Sequence, residues 1–205
     1  MSRYAFVLTF GSVTVGKAFE TSKLLGPSSR NLASNRMPFP HVPLFEAELD
    51  SAGLELAMLE VSSAVDGIRI QNPDGFKGSF REVRRASSDS DTVIWATSRT
   101  EALEKLHQWV ADVVAPLRAS DLDLPAEKMT PPEYAAWKRT GCPHVGTTYR
   151  PCMYLGTLAS DPKRFRNQVQ EHEWSEPTLA VVELGDKKQG KIIRKFEIAP
   201  FRISW

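Results

Sequence analysis

Two of the four histidines in this chain recur in the same setting. Pro40-His41-Val42 and Pro143-His144-Val145 stand about a hundred residues apart, in corresponding halves of the sequence. An imidazole titrates near pH 6.5 in the absence of perturbation. Near neutrality one ring of a pair can therefore be neutral and take a proton while the other is charged and gives one. Such a pair performs acid–base chemistry without a metal. Cys142, His144 and Cys152 offer a zinc reading, but a fourth ligand is lacking and there is no Cys-x-x-Cys pair. No metal and no other cofactor is expected. Gly11 to Gly16 has the glycine spacing of a phosphate loop and is followed by Lys17, but Ala18 stands where that loop needs a Ser or Thr, so the motif is set aside. His107, in an amphipathic stretch, and His172, in an acidic one, read as surface or boundary residues.

The elements that must position the pair follow from apolar spacing and turn residues. Tyr4–Phe10 (YAFVLTF) is β-branched and aromatic and reads as a buried opening strand. Lys17–Leu25 is weakly amphipathic and is stopped by Gly26-Pro27, which predicts a short helix. The proline-bearing run Ser28–Pro40 is a loop that delivers His41 to the start of a strand, His41–Ala47. Leu54, Ala57, Met58 and Val61 predict a helix over 54–64; Asp66-Gly67 then reads as a turn into a strand, Ile68–Gln71. Phe80–Arg85 alternates poorly, whereas Thr92–Ala96 (TVIWA) is a strand. Leu103, Leu106, Trp109, Val110, Val113 and Val114 recur at three and four residues, with Ser98 or Thr100 as cap and Pro116 as stop. Ser120–Pro132 is acidic and proline-bearing and reads as the link between two lobes. A helical turn over Glu133–Lys138, a strand opened by His144, and a helix over Asp161–Glu173 come next. A hairpin of Thr178–Leu184 and Ile192–Ile198 closes the chain.

In this order of elements, with a proline before each histidine, the chain resembles the 2H phosphoesterase superfamily, which includes 2′-5′ RNA ligase-like proteins and cyclic phosphodiesterases. The resemblance covers nearly all of the chain. It implies an α+β fold, a single domain over 1–205 of two pseudo-symmetric lobes, with two small antiparallel sheets facing a central cleft and helices outside. It further implies that His41 and His144 act as acid and base on a cyclic phosphate or 2′-5′ phosphodiester of a nucleotide or RNA end, the assignment of the two roles being open. The family carries His-x-Thr/Ser motifs whose hydroxyls hold the phosphate oxygens. Here Pro43 and Gly146 occupy the hydroxyl positions, and Pro43 has no donor in side chain or backbone. A bulge at Gly146 would bring Thr147 or Thr148 into place. By proximity in sequence, Arg36 and Arg150 are further candidates for the phosphate and Tyr149 for a base. The lost hydroxyls also predict a competing function, a module that binds an RNA end or nucleotide without processing it. A ligand-free interaction scaffold is the third possibility.

Composition bounds these readings. The 205 residues carry 26 basic against 25 acidic side chains, a net +1, so any anion site is local rather than a property of the whole surface. The runs Arg81-Arg84-Arg85, Arg164-Arg166 and Lys187-Lys188-Lys191 read as solvated charge. No apolar run reaches the roughly 18–20 residues of a membrane span. Two closely spaced cysteines do not make a disulfide framework, from which a reducing, cytoplasmic setting is expected. The expected partner is a nucleotide or RNA terminus, with no membrane. The oligomeric state is open and compatible with a monomer.

Overall fold

The computed structural model describes residues 1–25, 39–87, 90–158, 166–185 and 190–199. Along these residues run β1 (Ser2–Thr9), α1 (Ser12–Ser22), β2 (His41–Leu49), α2 (Ser51–Gln71), β3 (Lys77–Arg85), β4 (Thr92–Thr97), α3 (Glu101–Val114) and α4 (Pro131–Thr140). The chain continues with β5 (Cys152–Thr157), β6 (Gln168–Ser175), β7 (Thr178–Leu184) and β8 (Gly190–Glu197). The strands make two four-stranded antiparallel sheets, β2-β1-β7-β8 and β5-β4-β3-β6. This is the α+β architecture that the resemblance implies.

The two sheets repeat one plan. In the first, β1 leads through α1 to its antiparallel neighbour β2 at the sheet edge; in the second, β4 leads through α3 to its antiparallel neighbour β5, also at an edge. Each helix packs on the other unit's sheet: α1 on β5 and β6, α3 on β2. The edge strands β2 and β5 are in contact. Each sheet therefore buries one face under helices. On the first that face carries Tyr4, Phe6, Leu8, Val42, Leu179 and Val181; on the second it carries Phe80, Val83, Trp95, Met153 and Trp174, and all join one hydrophobic core. Val110, Leu103, Leu106 and Val114 of α3 supply the covering layer, and the side chain of Thr100 accepts Leu103 N–H as the expected cap.

Four expectations need correction. Ile68–Gln71 is not a strand, because α2 runs on to Gln71. Gly67 lies within it, where a glycine costs about 1 kcal/mol relative to alanine, and the packing of Met58, Val61, Val65 and Ile68 on the core outweighs that cost. His144 does not open a strand. Gly141 (φ +75) ends α4 in the left-handed conformation, Gly146 (φ +66) reverses the chain again into a single 3₁₀ turn, Gly146–Thr148, and β5 begins only at Cys152. Residues 168–173, read as helix, form most of β6, since their period-two burial and pairing with β3 override the helical composition; residues 161–165 lie outside the described residues. His107 is not a surface or boundary residue but a core one, 1 % exposed. The first helix also starts earlier than its spacing predicts, at Ser12, and the helical turn at Glu133 is a ten-residue helix opened by a Thr130/Glu133 capping box. The poor alternation of Phe80–Arg85 reflects a register shift between Phe80 and Glu82 in a true strand.

Candidate functional site

His41 is the first residue of β2 and pairs with Thr9 of β1. The strand reads half-buried at His41, Pro43, Glu46 and Glu48, and buried at Val42, Leu44, Phe45, Ala47 and Leu49. The half-buried set lies on the face turned away from the helices, together with Arg3, Ala5, Val7 and Thr9 of β1. The alternation slips at Leu44 because Phe6 pairs with Phe45 while Val7 pairs with Pro43, leaving Leu44 as a bulge.

The start of β5 repeats this pattern. Cys152 pairs with Ala96 of β4 and Tyr154 with Ile94, and Leu155 is bulged because Val93 pairs with Gly156. Cys152 and Tyr154 are half-buried on the face away from the helices; Met153 and Leu155 are buried. Pro40-His41-Val42-Pro43-Leu44 and Pro151-Cys152-Met153-Tyr154-Leu155 are thus equivalent segments, each with a proline before an edge strand and a leucine bulge in its fourth position. The residue that mirrors His41 is Cys152, and the one that mirrors Pro43 is Tyr154. The sequence carries a signal for this equivalence in its second Pro-x-apolar-x-Leu run.

The chemistry of these side chains follows from their partners. His41 Nδ1–H donates to the Phe39 carbonyl at 2.8 Å, which leaves the lone pair on Nε2. Burial lowers its pKa, with the Phe39 bond opposing more weakly, so near neutrality the ring is a neutral acceptor. Burial pushes the Cys152 thiol up to about 11, and it stays protonated. The Tyr154 hydroxyl shares a 2.8 Å hydrogen bond with Thr157 Oγ1, and burial raises its pKa too.

His144 has a side chain 65 % exposed and Nδ1 3.8 Å from Glu133 Oε1 on α4. Hydrogen bonds from Thr130, first its backbone N–H, hold the Glu133 carboxyl below the usual range, and His144 and Arg150 add to this. Thr148 Oγ1 accepts Val145 N–H and lies within 2.9 Å of the Pro143 and Val145 carbonyls, so its hydroxyl serves its own turn. Thr147 is exposed, and its carbonyl and that of Tyr149 accept from the Arg150 guanidinium. Tyr149 is 3 % exposed, so its ring is not open to a base. Arg36 lies outside the described residues.

Tyr149 instead belongs to a brace behind β2. Its ring lies flat on His107, centroids 3.7 Å apart, and its hydroxyl donates to the Pro43 carbonyl at 3.2 Å. His107 Nδ1–H donates to the carbonyl of the bulged Leu44 at 2.7 Å, and Nε2 accepts Gly146 N–H at 3.2 Å. Both ring nitrogens are engaged only in the neutral tautomer, in keeping with a pKa lowered by burial. His172 sits at the other end, stacked on Trp95 with Nε2 3.1 Å from Thr14 Oγ1. Among the described residues no cluster of His, Cys, Asp and Glu could hold a metal ion, and no helix is long and apolar enough to cross a membrane.

No protein-family model and no curated protein matches the sequence. Solved structures do match it. TT0787 of Thermus thermophilus aligns with a TM-score of 0.66 at 14 % identity over 98 % of this chain and 100 % of its own. Escherichia coli LigT in complex with NADP+ aligns at 0.61 and 12 % identity over 97 % and 98 %. A third protein, described only as a phosphoesterase, aligns at 0.59 and 13 % identity over 97 % and 99 %. Other LigT structures that match hold 3′-AMP, phosphate or ATP. At these identities the likeness shows the fold, and it is the fold expected of a 2H phosphoesterase.

Proposed function

We propose that the groove where β2 and β5 meet binds a nucleotide through its phosphoester, with His41 as the acid–base position that has been kept and Cys152 as the one that has been lost. The two sheets are then lobes of one unit sharing that groove. The chain passes between them through α2 and again between β6 and β7. The segment 120–132, expected as the link, instead lies between β4 and β5 of one sheet and is tied at its start to the other through Ala119 N–H to Glu48 O at 2.8 Å and the Ser120 hydroxyl to the Glu48 carboxylate. The observation that carries the reading is the equivalence of His41 and Cys152 at the starts of the two edge strands. Two-histidine hydrolysis needs one ring to accept a proton and another to donate one. A neutral imidazole at one position meets the first need, and a thiol pushed up to about 11 at the equivalent position does not meet the second. The nucleotides held by LigT supply the choice of ligand class.

The test uses the whole chain with 3′-AMP and with 2′,3′-cyclic AMP. Both ligands should raise the melting temperature, His41→Ala should weaken 3′-AMP at least about tenfold, and the cyclic nucleotide should be recovered unchanged. Metal-independent turnover that His144→Ala reduces by orders of magnitude would overturn this reading in favour of the His41–His144 pair. Absence of binding by either nucleotide would overturn it in favour of an interaction scaffold.

A further inference from the structure

Beside His41 lies a recess of about 170 Å³ lined by Thr9, Phe10, Phe19, Phe39, Ile192 and Lys195 among others. We infer that it is a nucleobase pocket, which places the base of the bound nucleotide on the α1 side of His41. This inference rests on the function proposed above and adds to it a requirement for an aromatic ring on the ligand.

Three observations carry it. The recess adjoins the acid–base position: the Phe39 ring centroid is 4.9 Å from that of His41, the Phe39 carbonyl takes the His41 proton, and Thr9 stands directly across from His41 on β1. Its aromatic walls are braced from behind yet still half-buried. Phe10 meets Phe80 and Trp174 edge-on at 5.8 and 5.4 Å, and Phe39 packs on the buried residues Ala5, Val7, Ala180 and Val182 of the sheet face turned away from the helices. Phe19 projects from α1 and is half-buried as well. Phenylalanines fixed in this way give up little freedom when a flat ring enters between them. Finally, among the described residues no carboxylate lines the recess, and the charged side chain that does is Lys195, a cation suited to the phosphate or ribose edge of the same ligand. Stacking on aromatic side chains tolerates every base because each has a π-face, so the pocket selects nucleotides over other phosphoesters rather than one base over another.

The wild-type chain supplies a first test that needs no substitution. Calorimetric titration with 3′-AMP, ribose 3-phosphate and inorganic phosphate should give an affinity for 3′-AMP at least about tenfold above that for ribose 3-phosphate, the advantage expected from one stacked base. Phe19→Ala, its fold checked by circular dichroism, should erase most of that advantage and leave the ribose 3-phosphate affinity unchanged. Equal affinities for 3′-AMP and ribose 3-phosphate in the wild type would overturn the base pocket and leave the phosphoester site standing. An equal loss for both ligands in Phe19→Ala, or no loss for either, would overturn it too. Failure of all three ligands to bind would remove the proposed function and this inference with it.

Discussion

The starts of β2 and β5 share a backbone design and differ in nearly everything that the design presents. Each strand lies at a sheet edge, follows a proline, alternates half-buried and buried residues, and bulges at a leucine in its fourth position. On β2 the open face presents an imidazole, and the bulge is held from behind by His107 and Tyr149. On β5 the open face presents a thiol and a phenol. The helix packed behind, α1, contributes small buried side chains, Thr14 and Ala18, and the Thr14 hydroxyl reaches His172 of β6. The same backbone plan thus carries different side chains at its outward positions, because bulge and pairing rest on the apolar residues packed under the helices.

The largest effect should come from making the two strands alike. Cys152→His together with Tyr154→Thr places a histidine and a hydroxyl on β5 where the repeat calls for them. General acid–base catalysis contributes about 10²–10⁴-fold, so turnover of 2′,3′-cyclic AMP should rise by about 10² or more over the wild type. A folded, nucleotide-binding double variant that remains inert would mean that the equivalence is one of backbone only.

Removing the brace tests the other half of the comparison. His107→Ala would empty a fully buried site and leave the Leu44 carbonyl and Gly146 N–H without partners, costing about 3–5 kcal/mol in denaturant unfolding. Tyr149→Phe deletes only the hydroxyl bond to Pro43, for about 1 kcal/mol, and should leave 3′-AMP affinity unaltered. If His107→Ala unfolded no more readily than Tyr149→Phe, the bulge on β2 would not depend on the ring behind it.

The fold was readable from the sequence where apolar periodicity was strong. The six apolar positions of α3, the YAFVLTF and TVIWA strands and the closing hairpin all fall where their patterns put them. Errors gathered where a local signal was overridden from a distance. Gly67 looked like a turn, but α2 has a core to pack against; residues 168–173 looked helical, but β3 offers them an edge. Of the candidate site, the setting of His41 at the start of a strand was legible, because proline and strand coincide there. The equivalence of Cys152 with it was not, because that repeat is written in burial and pairing rather than in residue type. His107 was undervalued for a related reason, since a polar residue in an apolar stripe looks like a boundary until the bulge that it satisfies is known.

The smallest effect is a pH dependence that belongs mainly to the braced side. Burial lowers the pKa values of His41 and His107, and that of His172 as well, where Lys17 assists. In the unfolded chain these rings take up protons as pH falls through about 6.5, whereas in the native protein they stay neutral until lower pH. The unfolded state then binds more protons, so stability rises with pH in that window and declines as pH drops from about 6.5 toward the native values. Glu101, held low chiefly by Lys105, and Glu133, held low chiefly by Thr130, enter only at more acidic pH, which separates the imidazole contribution from theirs. Urea unfolding at intervals from pH 7.5 to 5 should therefore show a steady loss of stability in the wild type. His107→Gln, less stable throughout, should show a shallower slope, because a neutral amide gives the unfolded chain one proton site fewer. An unchanged slope would mean that His107 gains no more from being neutral in the fold than it would in water, and that its bonds to Leu44 and Gly146 do not depend on the tautomer assigned to it.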